Sequence, residues 1–193
     1  MSSAEARSNG SSRATGGPRQ PVTMLGMAPS LLEEVGALMR QSQWREAIAL
    51  CAAAPMSDLE PEVLWDFAWA HFKIGDFPTA RTLFEAALAL RPDHAVTLWG
   101  LGVVLQRLGA LDEAKRRLTR ALELKDSTMT RFDLAIVLMK QRDFAAAEQV
   151  HLEGLKLKPT SAERVEGYGD FLADASRPDE AEVQYARARK LRV

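Results

Sequence analysis

The sequence has little of what would staple a fold covalently or through metal: one cysteine, Cys51, and three histidines among 193 residues. A lone thiol closes no internal disulfide, and His71, His94 and His151 are isolated, without the paired spacing of a zinc site. A reducing, cytoplasmic setting is the expectation. Apolar runs are short. The stretch from Ala47 to Ala54 stops far below the roughly 20 residues of a membrane-spanning helix, so no span is expected. A formal net charge of −1 offers no broad field for nucleic acid or an anionic membrane surface. Catalytic signatures are missing as well. Gly100-Leu101-Gly102 lacks the third glycine of a phosphate-cradling loop and lies in a helical pattern, not after a strand. His71, His151 and Cys51 fall in columns that other segments fill with large core residues, so packing accounts for them. Neither an enzyme activity nor a cofactor or metal is expected.

Residues 1–27 differ from the rest. Ser2, Ser3, Ser8, Ser11 and Ser12 mix with Gly10, Gly16, Gly17, Arg7, Arg13 and Arg19. Such a segment buries too little apolar surface to offset its ordering entropy, and a disordered tail is expected. It has no apolar stretch of the kind found in a secretory leader. Met24, Leu25 and Met27 form a small apolar cluster at its end.

What the sequence does contain is a period. Ala47, Ala80, Ala114, Ala147 and Ala181 follow one another at steps of 33, 34, 33 and 34 residues, which marks five units. Four residues after each alanine stand Cys51, Phe84, Leu118, His151 and Tyr185. Three further on stand Ala54, Ala87, Ala121, Gly154 and Ala188. Alternating small and large columns allow two helices to approach and interlock. Each unit divides into two helical patterns around a short polar break, clearest at Gly75-Asp76 and Gly109-Ala110-Leu111. There a glycine in the left-handed region can end the first helix. Pro92 and Pro159 punctuate the joins between units.

The columns resemble the tetratricopeptide repeat family, whose pattern is aromatic-x2-Leu-Gly-x2-Tyr, then Ala-x3-Phe, then Pro. One unit has Leu64, Phe67-Ala68, His71, Ala80, Phe84 and Pro92. The next has Leu98, Leu101-Gly102, Leu105, Ala114 and Leu118, with Asp126 in the proline column. The fourth keeps Leu134-Ala135, Leu138 and Pro159 but opens on Arg131, and the first has lost the pattern around Glu33-Glu34. The resemblance implies an all-α, right-handed α-solenoid of about five helix-turn-helix repeats over residues 28–193. The repeats lie near 28–60, 61–94, 95–127, 128–161 and 162–193.

In such a solenoid the first helix of each unit lines the inner, concave side. Helical periodicity aims Trp65, Trp69 and Phe72, then Trp99, Val103 and Gln106, then Phe132, Ile136 and Met139 toward that side. The stretch from Leu64 to Phe72 is apolar almost all round, as on a helix that something covers. Beside these residues recur Arg40, Lys73, Arg107 and Lys140, while Glu163, Glu166, Asp170 and Asp174 make the last unit acidic. The expected function is a non-enzymatic adaptor that binds another protein, as a peptide or amphipathic helix, in an aromatic groove. The groove comprises Trp65, Trp69, Phe72, Lys73, Trp99, Val103, Arg107, Phe132, Ile136, Met139 and Lys140. Chaperone-associated members of the family clamp a partner's C-terminal carboxylate with Lys, Arg and Asn; here Trp65, Trp69, Trp99 and Val103 hold those places, which argues against that ligand. A dedicated chaperone of a type III secretion substrate and a binder of an amphipathic small molecule or lipid are the alternative readings. A homodimer is possible, since an apolar groove can be covered by a second copy or by the Met24-Leu25-Met27 cluster.

Overall fold

The structure, a computed structural model, describes residues 29–192. The tail expected over residues 1–27 and its methionine cluster lie outside the described residues. Among those described, regular structure is entirely helical: α1 (Leu31–Arg40), α2 (Trp44–Ala52), α3 (Pro61–Lys73), α4 (Phe77–Leu90), α5 (Ala95–Arg107), α6 (Leu111–Leu124), α7 (Thr128–Lys140), α8 (Phe144–Leu157), α9 (Ala162–Asp174) and α10 (Pro178–Leu191), with one 3-10 turn at Met56–Asp58.

Helix starts are written in local chemistry. Ser30 and Glu33 form a reciprocal capping box, the Glu33 amide donating to Ser30 Oγ at 3.3 Å and the Ser30 amide to Glu33 Oε2 at 2.8 Å. Asp76, Asp143 and Ser127 cap α4, α8 and α7 through single side-chain oxygens. Helix ends are as regular. The turn from first to second helix places Ser42, Gly75, Gly109, Arg142 and Ser176 at φ between 58° and 86°, one in each unit. The sequence supplies glycine at only two of these five left-handed positions. At the other three, a side chain is held where L-residues are strained.

Within a unit the two helices are held together by small residues meeting large ones. All five column alanines are buried, and Phe84, Leu118 and Cys51 are wholly enclosed. The fit is tight enough that a Cβ on Gly102 would stand 2.6 Å from Leu118 in the same unit, and across the unit boundary one on Gly100 would stand 2.8 Å from the Phe84 ring. Between units, each second helix packs on the next first helix. First helices also touch one another, in the pairs α1 with α3, α3 with α5, α5 with α7 and α7 with α9, whereas second helices make no comparable contact. A stack drawn together on one layer and splayed on the other curves toward the first helices, so these line its inner face. Polar ties cross the unit boundaries. Arg81 reaches Glu113 at 3.4 Å, Arg177 reaches Glu148 at 2.8 Å, and Tyr168 donates to the same Glu148 at 2.8 Å.

His151 takes the large-residue place of its unit, among the rings of Phe132, Tyr168 and Phe171. Its Nε2 is buried without a hydrogen-bond partner among the described residues. Burial first, and then the Arg164 charge, pull its pKa down from 6.5 to about 4, against a smaller opposing effect of Asp170. A depressed histidine binds its proton in the unfolded chain first. Stability is therefore whole above pH 6.5 and falls as the pH drops toward 4. His151→Leu removes that acid-side loss, of about 3 kcal/mol at most, so the difference in urea midpoint between variant and wild type widens from pH 7 to pH 4. A separate expectation concerns the turns. Relief of an αL side chain costing about 1–2 kcal/mol, less the extra unfolded-state freedom of glycine, makes Ser176→Gly more stable by about 0.5 kcal/mol, read as a higher thermal midpoint.

Candidate functional site

The inner face carries one continuous run of rings. Trp65 and Trp69 stack one helical turn apart, with centroids 5.5 Å apart and planes 14° apart, and Trp69 stacks in turn on Phe72 at 4.8 Å and 20°. Spacings of three and four residues bring all three to one side of α3. The run crosses to α5 through Trp69 and Trp99, 5.2 Å apart, and turns down to α4 through Phe72 and Phe77 at 5.6 Å. Trp65, Trp69 and Phe72 are all half-buried, with part of each ring open to solvent. Lys73 closes the upper end, its ammonium 5.2 Å from the Trp69 ring centre and 5.8 Å from that of Trp44. Both distances suit a cation–π contact.

The sequence-based groove needs correction at two positions. Trp99 is only 9% exposed and Val103 only 8%, so both are core rather than open lining. Neighbouring first helices approach closely enough to enclose them. Trp99 also spends its indole N–H on Asp133 Oδ2 across to α7, at 2.6 Å. Phe132, Ile136 and Met139 are half-buried, as a lining requires. Phe132 is nonetheless committed along one edge: the Arg164 guanidinium lies 5.1 Å above it, and a Cβ on Gly167 would come within 2.4 Å of its Cε2. Lys73, Arg107 and Lys140 are exposed, with Arg40 in the same row. None of these four forms an ion pair among the described residues.

Several participants escaped the sequence reading. Asp66 and Asp133 follow Trp65 and Phe132 directly and turn back among the first helices. Burial raises the pKa of both, opposed at Asp66 by Arg40, and at Asp133 by the Trp99 hydrogen bond and then by Arg164 and Arg107. Their place in the same column, one after an inward ring, was the available signal. Val96 and Met129, three residues before Trp99 and Phe132, stand 39% and 45% exposed at the inner rim. Trp44, from the turn that opens α2, was not recognisable as a neighbour of Lys73. In the last unit Asp170 accepts from the Tyr185 hydroxyl at 2.9 Å and Glu166 pairs with Arg192, while Glu163 and Asp174 remain exposed.

Two tetratricopeptide repeat family models match the chain, over residues 62–127 and residues 132–191. The chain belongs to the tetratricopeptide repeat family. Solved structures agree on the architecture of this tetratricopeptide repeat protein. MamA of strain AMB-1 superposes with a TM-score of 0.72 at 19% identity, covering 84% of this chain and 98% of that one. MamA from residue 41 onward of Desulfovibrio magneticus RS-1 gives 0.72 at 17% identity, covering 84% and 93%. At such identities the likeness is one of fold. A comparison with curated proteins finds no match. Among the described residues no helix is long and apolar enough to cross a membrane, and no group of three or more His, Cys, Asp or Glu could hold a metal ion.

The different burial of neighbouring tryptophans is measurable. Trp99→Ala opens a cavity and strands the Asp133 carboxylate, lowering stability by about 3–5 kcal/mol in urea unfolding. Trp69→Ala, whose ring already meets water, costs clearly less and keeps the helical circular dichroism of the wild type.

Proposed function

We propose that this tetratricopeptide repeat protein is a non-enzymatic scaffold that holds a segment of another polypeptide across the inner face of α3, α5 and α7. Support comes chiefly from the half-open stack of Trp65, Trp69 and Phe72 under Lys73, which leaves costly aromatic surface in water unless it is covered. Ile136, Met139 and the outer edge of Phe132 extend the apolar floor, and Arg107 and Lys140 extend its cationic border. Half-buried tryptophans are the residues on which binding energy concentrates, and each truncation is worth about 2 kcal/mol or more. The corrected site therefore consists of Trp65, Trp69, Phe72, Phe132, Ile136 and Met139 with Lys73, Arg107 and Lys140. Trp99 and Val103 support it from beneath.

A reducing cytoplasmic setting suits the reading. Cys51 is buried, and its thiol is pushed up to about 11 by burial and then by Asp66, so it is inert as a nucleophile. The test is affinity capture from the source cell with wild type, Trp69→Ala, Met139→Glu and, from the second-helix layer, Leu152→Glu. Both inner-face variants should keep wild-type circular dichroism and lose the partner at least tenfold, as a hot-spot contact of that size predicts, while Leu152→Glu retains it. Retention by folded Trp69→Ala and Met139→Glu would sink the proposal.

A further inference from the structure

The rim of the inner face holds two apolar hollows that repeat with the unit. One, of about 280 Å³, lies between α3 and α5 and is lined by Trp65, Val96 and His94, with Glu62 and Asp66 at its edge. The other, of about 170 Å³, lies between α5, α6 and α7 and is lined by Val96, Trp99, Ala121 and Met129. A cavity of about 150 Å³ lined by apolar side chains takes up a benzene ring, so each hollow has room for one bulky apolar side chain. Each lies beside an inward tryptophan at the same place in its unit, and Val96 is the shared wall. Their repeat follows the spacing of adjacent first helices, about 8–10 Å.

On the opposite flank runs the cationic row. From Val96 to Arg107 is eleven residues of helix, or about 16 Å. Arg40, Lys73, Arg107 and Lys140 are exposed, one to a unit over four units, with no carboxylate paired to any of them among the described residues. Some basic residues elsewhere are spent within the chain, as in Arg81 to Glu85 and Glu113, Arg120 to Asp93 and Glu123, and Arg177 to Glu148 and Glu180, and others such as Arg45, Arg116 and Lys156 are exposed without an ion pair among the described residues; what sets the row apart is its recurrence, once per unit, beside the inward rings. The fifth place in the row is Asp174, and Glu163 joins it on the exposed side of α9.

Resting on the scaffold reading above, we infer that the segment held here is acidic and amphipathic. It seats two bulky apolar side chains beside Trp65 and Trp99 and turns its carboxylates toward Arg40, Lys73, Arg107 and Lys140. A polyproline-type extended chain meets the spacing of the hollows with anchors three apart, at about 9.3 Å, and an α-helix comes within about 0.5 Å of that range with anchors seven apart, at about 10.5 Å. A β-strand does not, because same-face residues recur at about 6.8 or 13.6 Å. The acidic stretch ends before α9, where like charge repels it.

The test uses the full chain and fluorescein-labelled synthetic peptides. Each carries two phenylalanines, seven apart in an alanine-rich helical host or three apart in a proline-rich host, flanked by Glu, Gln or Lys. In one of the hosts the Glu peptide should bind at least tenfold tighter than the Lys peptide at low salt, with Gln between them, and the gap should narrow as salt rises. Lys73→Glu/Arg107→Glu/Lys140→Glu should reverse that order, so that the Lys peptide binds tighter than the Glu peptide. Replacing either phenylalanine by alanine should weaken binding in wild type and triple variant alike. Equal affinity for Glu and Lys peptides, with the Gln peptide still bound, overturns the acidic partner and leaves the groove standing. Failure of every peptide overturns both, and binding to phosphatidylglycerol vesicles without binding of the Glu peptides replaces the protein segment by a lipid surface.

Discussion

The close approach of two helices within each hairpin is the constraint from which the rest of the structure follows. Gly102 against Leu118 and Gly169 against Tyr185 leave no room for one more carbon, and the alanine column of the second helices is buried throughout. Packing at that density converts single methyl groups into kilocalories, so each unit has little freedom in how its helices cross. Fixed crossings repeated five times give a stack with a constant sense of curvature, and curvature is what creates an inner face.

The inner face inherits a conflict from that geometry. First helices must pack on their own partners and on the next first helix, so most of their circumference is apolar. The layer closes completely only where neighbours are near enough. At Trp99 and Val103 it does close, with the Trp99 N–H satisfied by Asp133. At Trp65, Trp69 and Phe72 it stays half open, because among the described residues the ring stack has only the shorter first hairpin, α1 and α2, on its other side. The indole nitrogen of Trp65 is buried without a hydrogen-bond partner among the described residues, and the place corresponding to Asp133 is Gly100 one unit earlier. The same column is thus core in one unit and exposed lining in its neighbour.

Charge is distributed on a related principle. Ion pairs such as Arg81 with Glu113 and Arg177 with Glu148 join successive units and are satisfied inside the chain. Bases at the C-terminal ends of α1, α3, α5 and α7 complement the helix dipoles and form no ion pair among the described residues. Their local role and their availability to a partner are compatible. A cation stabilised by its own helix end keeps its hydrogen-bonding capacity for another chain.

The five-unit period, the hairpin architecture, the small and large columns and the direction of the inner face were all legible in the sequence, because each depends on spacing along a helix, and helical spacing is local. The recurrence of Ala47, Ala80, Ala114, Ala147 and Ala181 suffices for the architecture. Left-handed turns were legible at Gly75 and Gly109 and hidden at Ser42, Arg142 and Ser176, where the repeated geometry holds residues that do not advertise it. Only the tertiary structure decided which inward rings are open and which enclosed, that Asp133 takes the Trp99 proton donor, that Trp44 sits under Lys73, and that Val96 and Met129 frame two hollows. Each of these depends on the distance between helices from different units. That distance is set by the sum of side-chain volumes across an interface, a quantity no single helix carries in its own pattern.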